Sequence, residues 1–270
     1  AQSITSGGSV FYNLTNSNTS NTVSIADKLE INSSGSLTIN ASATLALAGY
    51  EFDDNGGSIT NSGTFQINGD ETFTSGSLSI PGNTKIVDGS GATLSTGLSG
   101  LANVEFNSNG NTFTLGEDMT YISGDLTIAS GTTLDVSGSN YDISLTGNWS
   151  NNSGTFTPQN GTVTFNGSAA QTISGTNTFY DLTINNTHGT QKVTPGSAIT
   201  VSNLLTVTDG IFVSATSDFA GVTISSGGTL ELSGDITVSG NWSNGGALTP
   251  GTNTVTFDGS GAQSITSGGS

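Results

Sequence analysis

Apolar residues in this 270-residue chain come in pairs two apart, and the pairs follow one another eight residues on. Leu37 and Ile39 lead to Leu45 and Leu47, Leu126 and Ile128 to Leu134 and Val136, and Val222 and Ile224 to Leu230 and Leu232. A spacing of two is the period of a strand, so both members of a pair face one side and the residue between them faces the other. The five residues between pairs, such as Asn40 to Thr44, are small and polar and read as turns. Leu78-Ser79-Ile80-Pro81 with Ile86 is a weaker copy, because Asp88 stands where its last apolar residue belongs. Ala, Glu, Lys, Gln and Arg at helical spacing are missing, so no helix is expected. The chain must therefore build itself from short strands and turns.

Longer repeats sit above this pattern. Ala262-Gln263-Ser264-Ile265-Thr266-Ser267-Gly268-Gly269-Ser270 is identical to residues 1–9, at an offset of 261. Ala170-Gln171-Thr172-Ile173-Ser174-Gly175 echoes the same nonapeptide with one gap, and Ala92-Thr93-Leu94-Ser95-Thr96-Gly97 echoes it loosely. Asn61-Ser62-Gly63-Thr64-Phe65 recurs at Asn152 to Phe156, and Gly147-Asn148-Trp149-Ser150 at Gly240 to Ser243. These steps divide the chain into super-repeats at 1–91, 92–169 and 170–261, the middle one shorter, with 262–270 beginning the next copy. Internal repetition on this scale means a solenoid or a string of domains.

Two architectures fit. One is a parallel β-helix (β-solenoid), taken as right-handed, with strands stacked about 4.8 Å apart; the other is a string of β-sandwich domains. The coil is preferred. The strand-turn-strand motif repeats within super-repeats as well as between them, no Pro-rich or charged linker separates them, and a coil can lose part of a rung where a sandwich would expose its core. At about 20 residues per rung, 261 residues give about 13 rungs and an axial repeat near 60 Å. Inward Leu, Ile, Val and Phe would stack from rung to rung, each contributing about 1.5–3 kcal/mol. Asn at the turns tolerates left-handed backbone and can form ladders between rungs.

Composition narrows the function. Twenty acidic residues against three basic ones, Lys28, Lys85 and Lys192, give a net charge of −17. Such a chain cannot neutralise a run of phosphates, which argues against nucleic acid, and it is repelled by an anionic membrane surface. No apolar run is long enough for a transmembrane helix, and no secretory leader is visible. There is no Cys, hence neither a disulfide framework nor a thiolate metal site.

Candidate chemistry is sparse. Asp53-Asp54 reads as part of a turn, Asp53 to Gly57, with calcium the cofactor such an oxygen-rich turn would suit. Two adjacent strand residues face opposite sides, a poor arrangement for a glycosidase carboxylate pair. Lyase chemistry wants a cationic base; the chain has no Arg and its lysines are scattered. His188 is the only histidine and reads as an exposed turn residue. No nucleophile elbow or phosphate loop is recognisable. No catalytic, cofactor-binding or metal residue is assigned. Trp149 and Trp242 read as equivalent core residues, with an aromatic sugar platform as the alternative. Asn-x-Ser/Thr sequons at Asn13, Asn32, Asn40, Asn148, Asn166, Asn185 and Asn241 follow largely from composition.

Two stretches are sharper than the rest. One runs from Gly147 through Phe156-Thr157-Pro158 and Val163-Thr164-Phe165-Asn166-Gly167 to Gly175; the other from Gly240 through Pro250 and Val255-Thr256-Phe257-Asp258-Gly259 to Gln263. In these the chain resembles the large repetitive surface proteins of bacteria, of the β-helical adhesin or haemagglutinin-like filament type. That resemblance implies secretion, a parallel β-helix and a structural or adhesive role, and it carries over no catalytic residue. The expectation is a structural segment of an extracellular filament, fibre or surface stalk, not an enzyme, whose partners are copies of itself in tandem or head to tail. An adhesin shaft that binds glycans is the alternative, and a polysaccharide-degrading enzyme a more distant one.

Overall fold

A computed structural model describes residues 2–74, 79–87, 90–94, 100–187 and 189–268, and every named feature below lies among them. The protein is all-β, with parallel strands stacked in about 12 turns as a β-solenoid. The sandwich alternative is thereby excluded. Leu78, Asp88 and Ser95 to Gly97, which the sequence reading used, lie outside the described residues.

The chain divides into two compact units, Ala1–Leu134 and Asp135–Ser270. In the first, an inward file runs Val23, Leu45, Phe65, Thr84, Val104, Leu126, each residue in parallel register with the next. A second file joins Ile67, Ile86, Phe106 and Ile128. Elsewhere around the rungs, Leu14, Leu37 and Ile59 align, as do Leu29 and Phe52. Apart from Leu14, Ile59 and Thr84, these are buried apolar side chains. Thr84 is the polar exception.

The first two of the pairs eight apart fold as expected. Leu37 and Ile39 end one strand, Ala43 N–H donates to Asn40 O at 3.0 Å, and Leu45 sits at the centre of the next, Thr44–Ala46. Leu126 and Ile128 are joined to Leu134 by the matching bond from Thr132 N–H to Ala129 O, 3.1 Å. The third case departs from expectation. Ser225 to Thr229, read as a turn, stays inside the strand Val222–Leu232. Its neighbour, Ile199–Ser214, lies alongside throughout, with Asp209 opposite Gly227 and Gly210 opposite Gly228. A Cβ on Gly228 would come within 2.2 Å of Val207 O, so the close approach of the two strands requires glycine there.

The second unit carries an inward file of Ile143, Val163, Leu182, Leu205, Val222 and Trp242, with the exposed Ile265 next in register. Beside it runs an outward file of hydroxyl residues: Ser144, Thr164, Thr183, Thr206, Thr223, Ser243, Thr266. Successive members lie between 17 and 23 residues apart, so no fixed period marks this file in the sequence. Trp149, fully buried, packs edge-on against Phe156 and Phe179, with centroids 4.8 and 5.5 Å away, and its indole N–H donates to Asn177 Oδ1 at 2.8 Å. Trp242 is buried at 5 % exposure, so both tryptophans are core residues rather than sugar platforms.

Buried asparagines at the bends bond chiefly to backbone one rung away. Asn16 Nδ2 donates to Thr44 O, Asn61 Nδ2 to Asn83 O and Asn151 Nδ2 to Thr176 O, at 2.9 to 3.0 Å. A side-chain ladder step does occur where Asn103 Nδ2 donates to Asn83 Oδ1 at 3.0 Å.

Candidate functional sites

Three places in the described residues concentrate polar chemistry. The first is a groove of about 550 Å³ on the outer face of the first unit. One wall is the file Thr44, Thr64, Asn83, Asn103, continued by Asp125; the other is Gln66, Lys85, Glu105, Thr127. Strand alternation places both files outward, flanking the inward file between them. The lining offers hydroxyls, amides, one ammonium and two carboxylates, repeated at the rung spacing.

The second surrounds Lys28, whose ammonium lies 3.0 Å from Glu51, 3.5 Å from Asp53 and 3.6 Å from Glu30. Parallel stacking makes this cluster: Glu30 lies in register with Asp53, one rung apart. A hydrogen bond to Glu51 is the chief reason that the Lys28 ammonium is held above its ordinary pKa, and the three carboxylates add to it. The Glu51 carboxyl is pulled below its ordinary value, first by the Thr74 hydroxyl and then by Lys28.

Asp53 and Asp54 are the candidates that sequence singled out. They cap successive N–H groups of one turn: Asp53 Oδ1 accepts from Asn55 at 3.0 Å and Asp54 Oδ1 from Gly56 at 3.3 Å, and Gly57 N–H closes on Asp54 O. Asn55 and Gly56 both have positive φ, 48° and 80°. The turn reading is what the geometry supports. No group of three or more His, Cys, Asp or Glu among the described residues is arranged to hold a metal. Among them, too, no helix is long and apolar enough to cross a membrane. His188 lies outside the described residues. Lys85 lines the groove, and Lys192 pairs with Glu231 at 2.8 Å.

The third place is one that sequence did not reveal: a glutamine clamp inside the echoes of the nonapeptide. Gln171 Nε2 donates back one rung, to Gly147 O at 2.7 Å and Leu145 O at 3.3 Å. Gln263 Nε2 repeats this on Gly240 O and Val238 O, both 2.8 Å. The following backbone N–H, of Thr172 or Ser264, donates to Asn148 Oδ1 or Asn241 Oδ1 at 2.8 and 2.9 Å. Two residues after the glutamine, Ile173 and Ile265 lie in register with Trp149 and Trp242. In each copy a glycine four residues before the glutamine, Gly167 or Gly259, lies so close to a carbonyl of the preceding rung, Thr146 O or Ser239 O, that a Cβ would collide with it at 2.4 or 2.0 Å, and the glutamine side chain packs on the same glycine. The signal in the sequence was the shared Gly-x-x-x-Gln spacing, its glutamine 24 or 23 residues after the glycine of Gly-Asn-Trp.

No protein-family model, no curated protein and no solved structure matches this chain.

Proposed function

We propose that the chain is a structural segment of an extracellular filament, fibre or surface stalk, lengthened by continuing its own solenoid. One observation carries the reading. The nonapeptide that occurs twice takes opposite roles in its two places. In the first, its strand Gln2–Ile4 pairs with the rung that follows, in register with Val23 to Ile25. In the second, Ile265–Ser267 pairs with the rung before it, Trp242 to Asn244. A rung that can be both the floor of one 261-residue unit and the ceiling of another makes end-on growth a matter of repetition. A heterologous contact of this kind does not close on itself. The acidic composition supports the reading through solubility and mutual repulsion between neighbouring chains.

The test is a chain of residues 1–261 followed by 1–270, viewed by electron microscopy beside the single copy. The expected result is a rod longer by about 60 Å, the rise of 12 to 13 rungs. Two separate particles on a tether, or one of unchanged length, would refute the proposal.

The groove favours a second reading, an adhesin shaft that holds glycans. Its two polar files offer hydrogen bonds at each rung to a polyhydroxylated chain lying along them. Titration of the full chain with soluble neutral polysaccharides, beside an Asn103→Ala variant, tests it. Binding that the variant weakens supports a groove ligand, and absence of binding removes the reading.

A further inference from the structure

We propose that the nonapeptide is an exchangeable joint strand, and that its partner is a second copy of this chain, whose Ile4–Ser6 segment seats on the Trp242–Asn244 rung in place of the resident Ile265–Ser267, while its Gln2–Ile4 strand keeps its own forward pairing. The inference rests on the filament reading and adds to it how separate copies join and what stops them.

Each occurrence of the nonapeptide displays half of one complete joint. At Gln171 both halves are present. Its Nε2 reaches back to Leu145 O and Gly147 O, and its Oε1 accepts from Asn186 Nδ2, 15 residues further on, at 3.1 Å. Gln2 has the forward half: its Oε1 accepts from Asn18 Nδ2, 16 residues further on, at 2.6 Å. Gln263 has the backward half, Nε2 on Val238 O and Gly240 O. Laid on each other, the two occurrences reproduce the whole Gln171 clamp.

The backbone is complementary in the same way. Looking forward, Ile4 O accepts from Ala26 N–H at 2.8 Å. Looking back, it is the preceding residue that works: Ser264 N–H donates to Asn241 Oδ1 and Ser264 O accepts from Trp242 N–H, both 2.9 Å. Alternate residues of a parallel strand serve opposite neighbours, so one strand can make both sets. Beyond the strand, the Asp27 carboxylate accepts from Ser6 N–H, Ser6 Oγ and Gly7 N–H at 2.7 to 3.0 Å and fastens the nonapeptide to the rung above. One donor is claimed twice: Gly7 N–H goes to Asp27, and its counterpart Gly268 N–H goes to Asn244 O at 2.9 Å. The joined rung keeps the two Ser6 bonds to Asp27 and shares the third.

A consequence follows for single copies. The rung that would receive a neighbour already carries the chain's own copy of the incoming strand. In a polypeptide of residues 1–270 by itself, residues 262–268 occupy that rung, and a neighbour adds only by displacing them.

The test compares residues 1–270 with a variant that stops at 261, by sedimentation over a range of concentrations. The full chain is expected to remain monomeric while the shortened one associates end to end. The synthetic peptide Ala-Gln-Ser-Ile-Thr-Ser-Gly-Gly-Ser should dissolve those assemblies by refilling the rung. Gln2→Leu in the shortened chain removes two hydrogen bonds and should weaken association about tenfold or more. A shortened chain that stays monomeric with intact β circular dichroism overturns the proposal, as does association that ignores both the peptide and Gln2→Leu. Should the shortened chain not fold, Gln263→Leu in the fused two-copy chain reads the same joint. Loss of hydrogen-exchange protection confined to that rung supports the clamp, and unchanged protection overturns it. A fused chain that forms one long rod while the peptide and both glutamine variants have no effect would sink the joint and leave the filament reading standing.

Discussion

Thr84 offers the cleanest single-atom test of how the solenoid is held together. It is 1 % exposed and stands in an inward file between Phe65 and Val104, and its hydroxyl has no hydrogen-bond partner. Val has the shape of Thr, so Thr84→Val opens no cavity, and both residues suit a strand. What changes is the hydroxyl. Burying one without a partner costs about 1–3 kcal/mol on mutational scales, so the variant should be more stable by roughly 1–2 kcal/mol. In a unit of this size that corresponds to a rise of about 2–8 °C in the melting temperature. Thr84→Ser keeps the hydroxyl and deletes a methyl, and should lose about 1 kcal/mol. The order Val above Thr above Ser is to be read by denaturant unfolding, with the m-values compared so that changes in the unfolded state are not mistaken for stability. A Val variant equal to or weaker than the parent would mean that the hydroxyl is satisfied in solution, by water from the groove that Thr84 also lines.

Three further outcomes are expected. Trp149→Phe deletes the donor to a buried Asn177 oxygen and should cost about 1–3 kcal/mol in unfolding experiments; adding Asn177→Leu should not restore it, because Asn177 Nδ2 also donates to Ser174 O and Gly175 O at 3.0 Å. Lys28→Met leaves Glu30, Glu51 and the largely buried Asp53 facing one another, so the melting temperature should fall, and added salt should narrow the gap to the parent by screening the carboxylates. The Glu71 carboxyl is held above its ordinary value of 4.5 by burial, against N–H donors from Asn68, Gly69 and Gly49. The folded state thus binds this proton more tightly than the unfolded state, and its contribution, complete below 4.5, is lost as pH rises through the folded value. Melting temperature against pH, parent minus Glu71→Ala, should fall across that window; a flat or rising difference would show that burial does not govern this group.

Much of the fold was legible because strand pairing in a coil is local in sequence. Leu37, Ile39 and Leu45 announced their strands by spacing alone, and Asn40 to Ala43 and Ala129 to Thr132 announced their turns. Ser225 to Thr229 carried the same composition and stayed extended, because the partner strand bends alongside it with Gly210 opposite Gly228. A single strand cannot report what its neighbour allows. The file from Ser144 to Thr266 was hidden for a related reason: register is kept by hydrogen bonds while the arcs between strands vary in length, so no fixed period marks it. Lys28 and its carboxylates were invisible singly, since Glu51 and Asp53 reach the lysine only through stacking. The Asp53-Asp54 turn was legible because Asx capping acts within three residues. The glutamine clamp was not, because its acceptors are backbone carbonyls, which leave no trace in side-chain identity.

The uneven arcs have a consequence for how such a chain can change. Because alignment is fixed at the strands, residues can be gained or lost at the bends without moving any file out of line. A gene for this protein can therefore drift in length by small steps, and whole turns can be duplicated or deleted, while the spine stays intact. The bends thus offer places where foreign peptide could be carried on the outside at little structural expense.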